Sequence, residues 1–130
     1  MPSRFCLALL LLCSALALPL RAEEPATKPA DEPKLTPEQE AFFEKKVRPI
    51  LVARCLECHG DKKQESGLRL DSRTAIVKGA DSGPVLATDK PEESRLIEVI
   101  SYQDPIRMPP KQKLADEELS VLTEWVKQGA

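Results

Sequence analysis

Cys55-Leu56-Glu57-Cys58-His59 is the stretch on which the fold of this chain turns. Its two thiols lie one short turn apart, and a histidine directly follows the second. In this spacing each thiol can add to one vinyl group of a haem, while the adjacent imidazole is left to ligate the iron from one side. C-x-x-C-H is therefore the attachment pattern of a c-type haem. A redox-active or structural C-x-x-C disulfide does not require the histidine, and a zinc site would want a second ligand pair that the chain lacks.

Competing ligands are few. His59 is the only histidine, and the methionines are Met1 and Met108. Once an amino-terminal segment is removed, Met108 is the only thioether left for the sixth iron position. A His/Met axial pair is one of the sets used for electron transfer, and it raises the haem potential. A packed thioether beside a vacant, water-bound or lysine-bound iron is the alternative.

Working outward toward the amino terminus, residues 5–18 form a nearly unbroken apolar run of 14 residues behind Arg4, and Leu20-Arg21-Ala22 offers a cleavage point before Glu23. Residues 1–22 read as a secretory signal peptide. The run is shorter than the ~20 residues of a membrane span, so an uncleaved anchor is the lesser reading. Cys13 follows Leu12, where lipid modification would normally want a small residue. The expectation is a chain secreted across the cytoplasmic membrane, periplasmic, with no membrane span after processing.

Cysteine usage agrees. Cys6 and Cys13 leave with the signal peptide, so Cys55 and Cys58 have no disulfide framework to build and remain available for haem. Processing also removes Arg4 and Arg21, leaving 17 basic against 21 acidic residues, a net charge of −4. No basic block points to nucleic acid and no cationic amphipathic stretch to a membrane surface. Residues 23–35 carry Pro25, Pro29 and Pro33 among Ala, Glu and Lys and read as a Pro-rich disordered tether. Residues 36–130 suffice for one domain. Its only aromatic side chains are Phe42, Phe43, Tyr102 and Trp125, so its core alone is marginal, and a buried porphyrin would supply much of the missing apolar volume.

Helix signals flank the haem motif. Thr36-Pro37-Glu38-Gln39 makes a capping-box start, and Phe43, Val47, Ile50 and Leu51 follow at helical spacing into Cys55. Pro49 interrupts this pattern, since its ring clashes with the Lys45 carbonyl, and predicts a kink or break near Arg48. Asp89 and Glu92 predict a second capped helix over residues 91–101 with Leu96, Val99 and Ile100 buried. Leu119, Leu122, Trp125 and Val126 predict a last helix over residues 116–128, stopped by Gly129. Residues 67–71 suggest a short extended piece and residues 73–77 a helical turn. Met108-Pro109-Pro110 forms a stiff loop, because two prolines deny the backbone a helix.

These features together resemble a class I cytochrome c. The pattern F-F-x-x-x-V-R-P-I-L-x-x-x-C-x-x-C-H-G, the Leu68-Arg69-Leu70-Asp71 segment, Met108-Pro109-Pro110 and the terminal W-V-K-Q-G-A are similar, more particularly, to the planctomycete-type cytochrome c domain. The resemblance implies an all-α, cytochrome c-like fold with crossing N- and C-terminal helices around one covalently bound haem c. Cys55 and Cys58 then match the thioether cysteines, with His59 and Met108 as the axial iron ligands. Such domains often precede larger modules in long chains, whereas this one is expected to stand alone. Gly83-Pro84-Val85-Leu86 resembles a segment whose proline carbonyl accepts a hydrogen bond from the proximal imidazole, an ordinary turn being the alternative. The resemblance also predicts contact between Leu51 and Trp125. Trp125, Arg48 and Arg107 are candidate propionate partners, against the simpler readings of core and solvated surface.

The function expected is electron carriage outside the cytoplasm by Fe(III)/Fe(II) cycling, with transient redox-partner proteins and no enzymatic step. Two alternatives stand beside it. One is a haem-based peroxidase or gas-sensing domain in which Met108 is displaced, weakened by the lack of a second histidine. The other is a haem module docking to a larger enzyme.

Overall fold

Thr36 opens the first helix as its side chain requires. Its hydroxyl accepts the Gln39 N–H at 3.3 Å, and the Gln39 side-chain oxygen accepts the Thr36 N–H at 2.9 Å. Helix α1 (Pro37–Phe42) runs into a wide π turn, Phe43–Val47, and then into α2 (Arg48–Arg54). The structure is a computed structural model describing residues 34–130. The signal peptide expected over residues 1–22 and all but the last two residues of the 23–35 tether lie outside the described residues.

The π turn answers Pro49. A proline removes one N–H and crowds the carbonyl four residues back, so an α-helical register cannot pass through it unchanged. Here the Arg48 N–H reaches back to the Phe43 carbonyl, a five-residue step that widens one turn and lets the helix continue. The kink or break expected near Arg48 is thus a change of register.

Beyond the haem motif the chain makes a 3₁₀ turn at Glu65–Gly67 and a short helix α3 (Arg73–Lys78), whose start is capped by the Ser72 hydroxyl accepting the Ala75 N–H at 3.3 Å. The helix expected over residues 91–101 is divided. A 3₁₀ turn at Pro91–Glu93 precedes α4 (Arg95–Ile100), and Ser94 between them is extended, with φ −64° and ψ 131°. Ser94 is fully buried, and its hydroxyl accepts the Ala87 N–H at 2.9 Å. Satisfying that part-buried loop amide from a buried hydroxyl outweighs continuing the helix. Neither Asp89 nor Glu92 acts as the expected cap.

Helix α5 (Asp116–Lys127) ends as Gly129 requires. Gly129 takes φ +101°, its N–H donates to the Val126 carbonyl, and the Ala130 N–H donates to the Trp125 carbonyl, both at 3.0 Å. This is a Schellman closure. Near its start the Glu118 carboxylate accepts the Ala115 N–H at 3.0 Å and pairs with Arg54 at the end of α2, also at 3.0 Å.

The described residues contain no strand, only the isolated bridges His59–Gln64 and Ala80–Gly83, which agrees with an all-α class. The core draws on every part of this unit: Val47 and Leu51 from the first helical run, Leu70, Ile76 and Val85 from the middle, Leu96 and Ile100 from α4, and Leu122, Trp125 and Val126 from α5. Leu51 and Trp125 share this core, while the ring facing Trp125 is Phe43, at 5.9 Å between centroids.

Candidate functional site

The end of α2 carries the chain straight into the cysteines. The Cys58 and His59 N–H groups both donate to the Cys55 carbonyl, at 3.1 and 2.9 Å, so the motif is one tight turn presenting both thiols. Gly60 then lets the backbone pass close. A Cβ there would lie 2.6 Å from the Leu56 carbonyl oxygen, closer than any side chain tolerates. The Leu70 N–H donates to the His59 carbonyl at 2.8 Å and the Glu65 N–H to the Cys58 carbonyl at 3.0 Å, which fold the following loop back along the motif.

Cys55, Cys58, His59 and Met108 all line one cavity of about 330 Å³. Leu68 and Leu70 from the loop, and Leu96, Val99 and Ile100 from α4, supply its apolar walls. The polar side chains at its edge are Arg54, Glu65 and Ser66. An adjoining recess of about 100 Å³ shares His59, Ser66, Leu68, Leu96, Val99 and Met108 with the main cavity, and Ser82 and Arg95 are among the residues it adds.

The loop that brings Met108 to this cavity is tied at several points. The Met108 N–H donates to the Val99 carbonyl at 3.0 Å, and the Tyr102 hydroxyl donates to the carbonyl of Pro109. The Arg107 guanidinium and the Lys113 ammonium lie 5.8 and 5.9 Å from the Tyr102 ring centre. Arg95 on α4 pairs with Asp104 through both carboxylate oxygens, and Asp104 also accepts the Ile106 N–H at 2.7 Å.

Electrostatics bear on the thiols. Burial pushes the Cys55 thiol up to about 11, the Glu118 carboxylate adding to the shift and Arg54 opposing it. Such a thiol stays protonated at neutral pH. Glu118 itself is held below the usual carboxylate range, first by the Ala115 N–H and then by Arg54.

His59 Nδ1 is buried and has no hydrogen-bond partner among the described residues. The bond expected from the Pro84 carbonyl is absent. Pro84 is exposed, and its segment is held instead by the Ala80 N–H donating to the Gly83 carbonyl at 2.9 Å. The ordinary turn is what forms there. Arg48 pairs with Glu44 at 2.7 Å, Arg107 lies over Tyr102, and Trp125 is in the core; none of the three lines the cavity. Arg54, Glu65, Ser66 and Arg95 were not singled out as site residues by sequence, because nothing local distinguishes a charged side chain at a cavity edge from one in open solvent.

These residues fit a porphyrin. A mostly apolar cavity reached by two thiols, one imidazole and one thioether has the donor set a covalent haem needs and few polar groups left over. Residues 55–112, which contain Cys55, Cys58, His59 and Met108, match the family model of planctomycete cytochrome C. A cytochrome c family domain implies a covalently bound haem c. Comparison with curated proteins and with solved structures gives no match.

Proposed function

We propose that residues 36–130 form a single-haem c-type cytochrome that carries electrons outside the cytoplasm. The observation that carries this reading is the convergence of Cys55, Cys58, His59 and Met108 on one apolar cavity. Bound haem supplies an iron that moves between ferric and ferrous forms.

The chain's own residues set the conditions for that exchange. Cys55 and Cys58 would each form a thioether, sulfur bonding to one vinyl carbon while a hydrogen adds to the other. His59 and Met108 would hold the iron in both states, so that little rearranges as an electron passes. Leu96, Val99 and Ile100 line the cavity with apolar side chains that would pack against the ring, and an apolar site with a thioether ligand favours the reduced form. The ties on the Met108 loop favour a carrier over a peroxidase or gas sensor, since those readings require the methionine to leave.

Among the described residues no helix is long and apolar enough to cross a membrane. Export into the periplasm rests on the signal peptide read over residues 1–22, and residues 23–35 would tether the domain. Partners would be redox proteins docking transiently over a small interface, or a larger enzyme for which this is the haem module.

A pyridine haemochrome spectrum of protein exported from cells that mature c-type haem tests the reading. One haem per chain is expected, lost from Cys55→Ser/Cys58→Ser, and Met108→Ala should lose the sulfur-to-ferric-iron charge-transfer band. Colourless wild-type protein overturns the proposal, and an unchanged Met108→Ala spectrum overturns the distal ligand.

A further inference from the structure

We infer that Arg95, held in place by Asp104, is the anchor for the haem's propionate carboxylates. The inference rests on the haem-binding reading above and assigns one end of that site.

A haem is chemically asymmetric. Its two vinyl groups lie on adjacent pyrroles of one half of the ring, and its two propionates on the pyrroles of the other half. Thioethers to Cys55 and Cys58 fix the vinyl half, so the carboxylates must point away from the cysteines. The two parts of the cavity are asymmetric in the same sense. Cys55 and Cys58 line the main cavity and not the recess, whereas Ser82 and Arg95 line the recess and not the main cavity. His59 and Met108 line both, as residues beside the middle of a ring would.

Charge agrees with this orientation. At the cysteine end the lining carries Arg54 and the carboxylate of Glu65, which would repel a propionate. In the recess the titratable groups are Arg95 and His59, with no carboxylate in the lining. The carboxylates near Arg95 are Asp104, paired bidentately, and Glu98, 3.7 Å from one terminal nitrogen. A guanidinium has five N–H donors, and the fork to Asp104 takes two, so others remain to bind an anion. Asp104 is a positioning residue here, because its grip aims a side chain that is otherwise 43 % exposed.

The readout is the reduction potential of the matured protein against pH. Arg95→Gln should lower the potential, since a cation near the ring favours the ferrous form. It should also make the potential fall with rising pH across the neutral range, because a propionic acid without its cation loses its proton at higher pH and reduction favours the protonated form. Arg95→Lys should restore most of the wild-type profile. Asp104→Asn, which loosens the loop but keeps the cation, separates charge from packing and should shift the profile less than Arg95→Gln. A potential and pH profile unchanged in Arg95→Gln overturns the inference, as does an Asp104→Asn profile equal to that of Arg95→Gln. Wild-type protein without covalent haem would instead defeat the reading on which the inference rests.

Discussion

Phe43 and Trp125 face each other with ring centroids 5.9 Å apart and planes inclined at 39°, which joins the π turn of the first helical run to the last helix. Trp125 is nearly buried, at 7 % exposed, while Phe43 is half-buried. Truncating a buried large aromatic costs roughly 3 to 5 kcal/mol through lost transfer energy and the cavity left behind, and a tilted ring pair adds about 1 kcal/mol. Trp125→Ala should therefore lower the unfolding free energy by about 4 kcal/mol and Phe43→Ala by less, as denaturant titration of the haem-loaded domain would measure. In the double variant the losses should fall short of additive by about the ring-pair energy.

In haem-free chain that circular dichroism shows to be folded, the buried thiol of Cys55, with its value near 11, should alkylate slowly at neutral pH. The thiolate is the nucleophile, so its rate should rise about tenfold per pH unit up to that value. Glu118→Gln removes one of the groups raising the thiol and should speed the modification at fixed pH. Mass spectrometry of iodoacetamide-treated protein, resolved by peptide, checks both. Fast labelling of Cys55 at pH 7 would show that the thiol is not sheltered as described.

Acid should weaken the junction of α2 with α5. The Glu118 carboxylate is lowered in the folded chain from an ordinary value of 4.5 by the Ala115 N–H and Arg54. A group depressed by folding stabilises the fold fully above its unfolded value, and that contribution is lost as pH falls through the folded one. Wild-type protein should thus exceed Glu118→Gln in stability at neutral pH, and the gap should close as the pH drops below the ordinary carboxylate range. Paired denaturant midpoints across pH 7 to about 3 would show it. A gap that widens with acid would reverse the sign argued here.

What could be read from sequence follows from how local each device is. Thr36 with Gln39, and Gly129 after the last apolar stripe, act on residues close by in sequence, so the start of α1 and the stop of α5 were legible. The haem motif was legible because its chemistry is confined to five adjacent residues. Ser94 was not, because the bond that fixes it extended comes from Ala87, across a loop with no period to read. Leu68 and Leu70 wall the cavity from a segment without helical spacing, and Arg95 resembles other surface arginines until the fold turns it to the recess. The Pro84 carbonyl was suggested only by the likeness of Gly83-Pro84-Val85-Leu86 to a segment of related domains, with an ordinary turn as the alternative. Here the Ala80–Gly83 bridge holds that segment in a turn of its own.

Tyr102 should govern how firmly Met108 is held. Its hydroxyl donates to the carbonyl of Pro109, the residue after the methionine, while the Met108 N–H is fixed to Val99 at 3.0 Å. Removing the hydroxyl leaves the ring, its packing and the two nearby cations in place and frees only that one carbonyl. Tyr102→Phe should cost about 1 kcal/mol of global stability, the usual worth of one such bond. Its larger effect should be local: the sulfur-to-iron band should fade at a lower temperature than in wild type, and carbon monoxide should bind the ferrous protein faster, because each requires the methionine to leave. Stopped-flow mixing of reduced protein with carbon monoxide separates the two effects. A lower unfolding midpoint with an unchanged binding rate would make Tyr102 a packing residue without hold on the ligand.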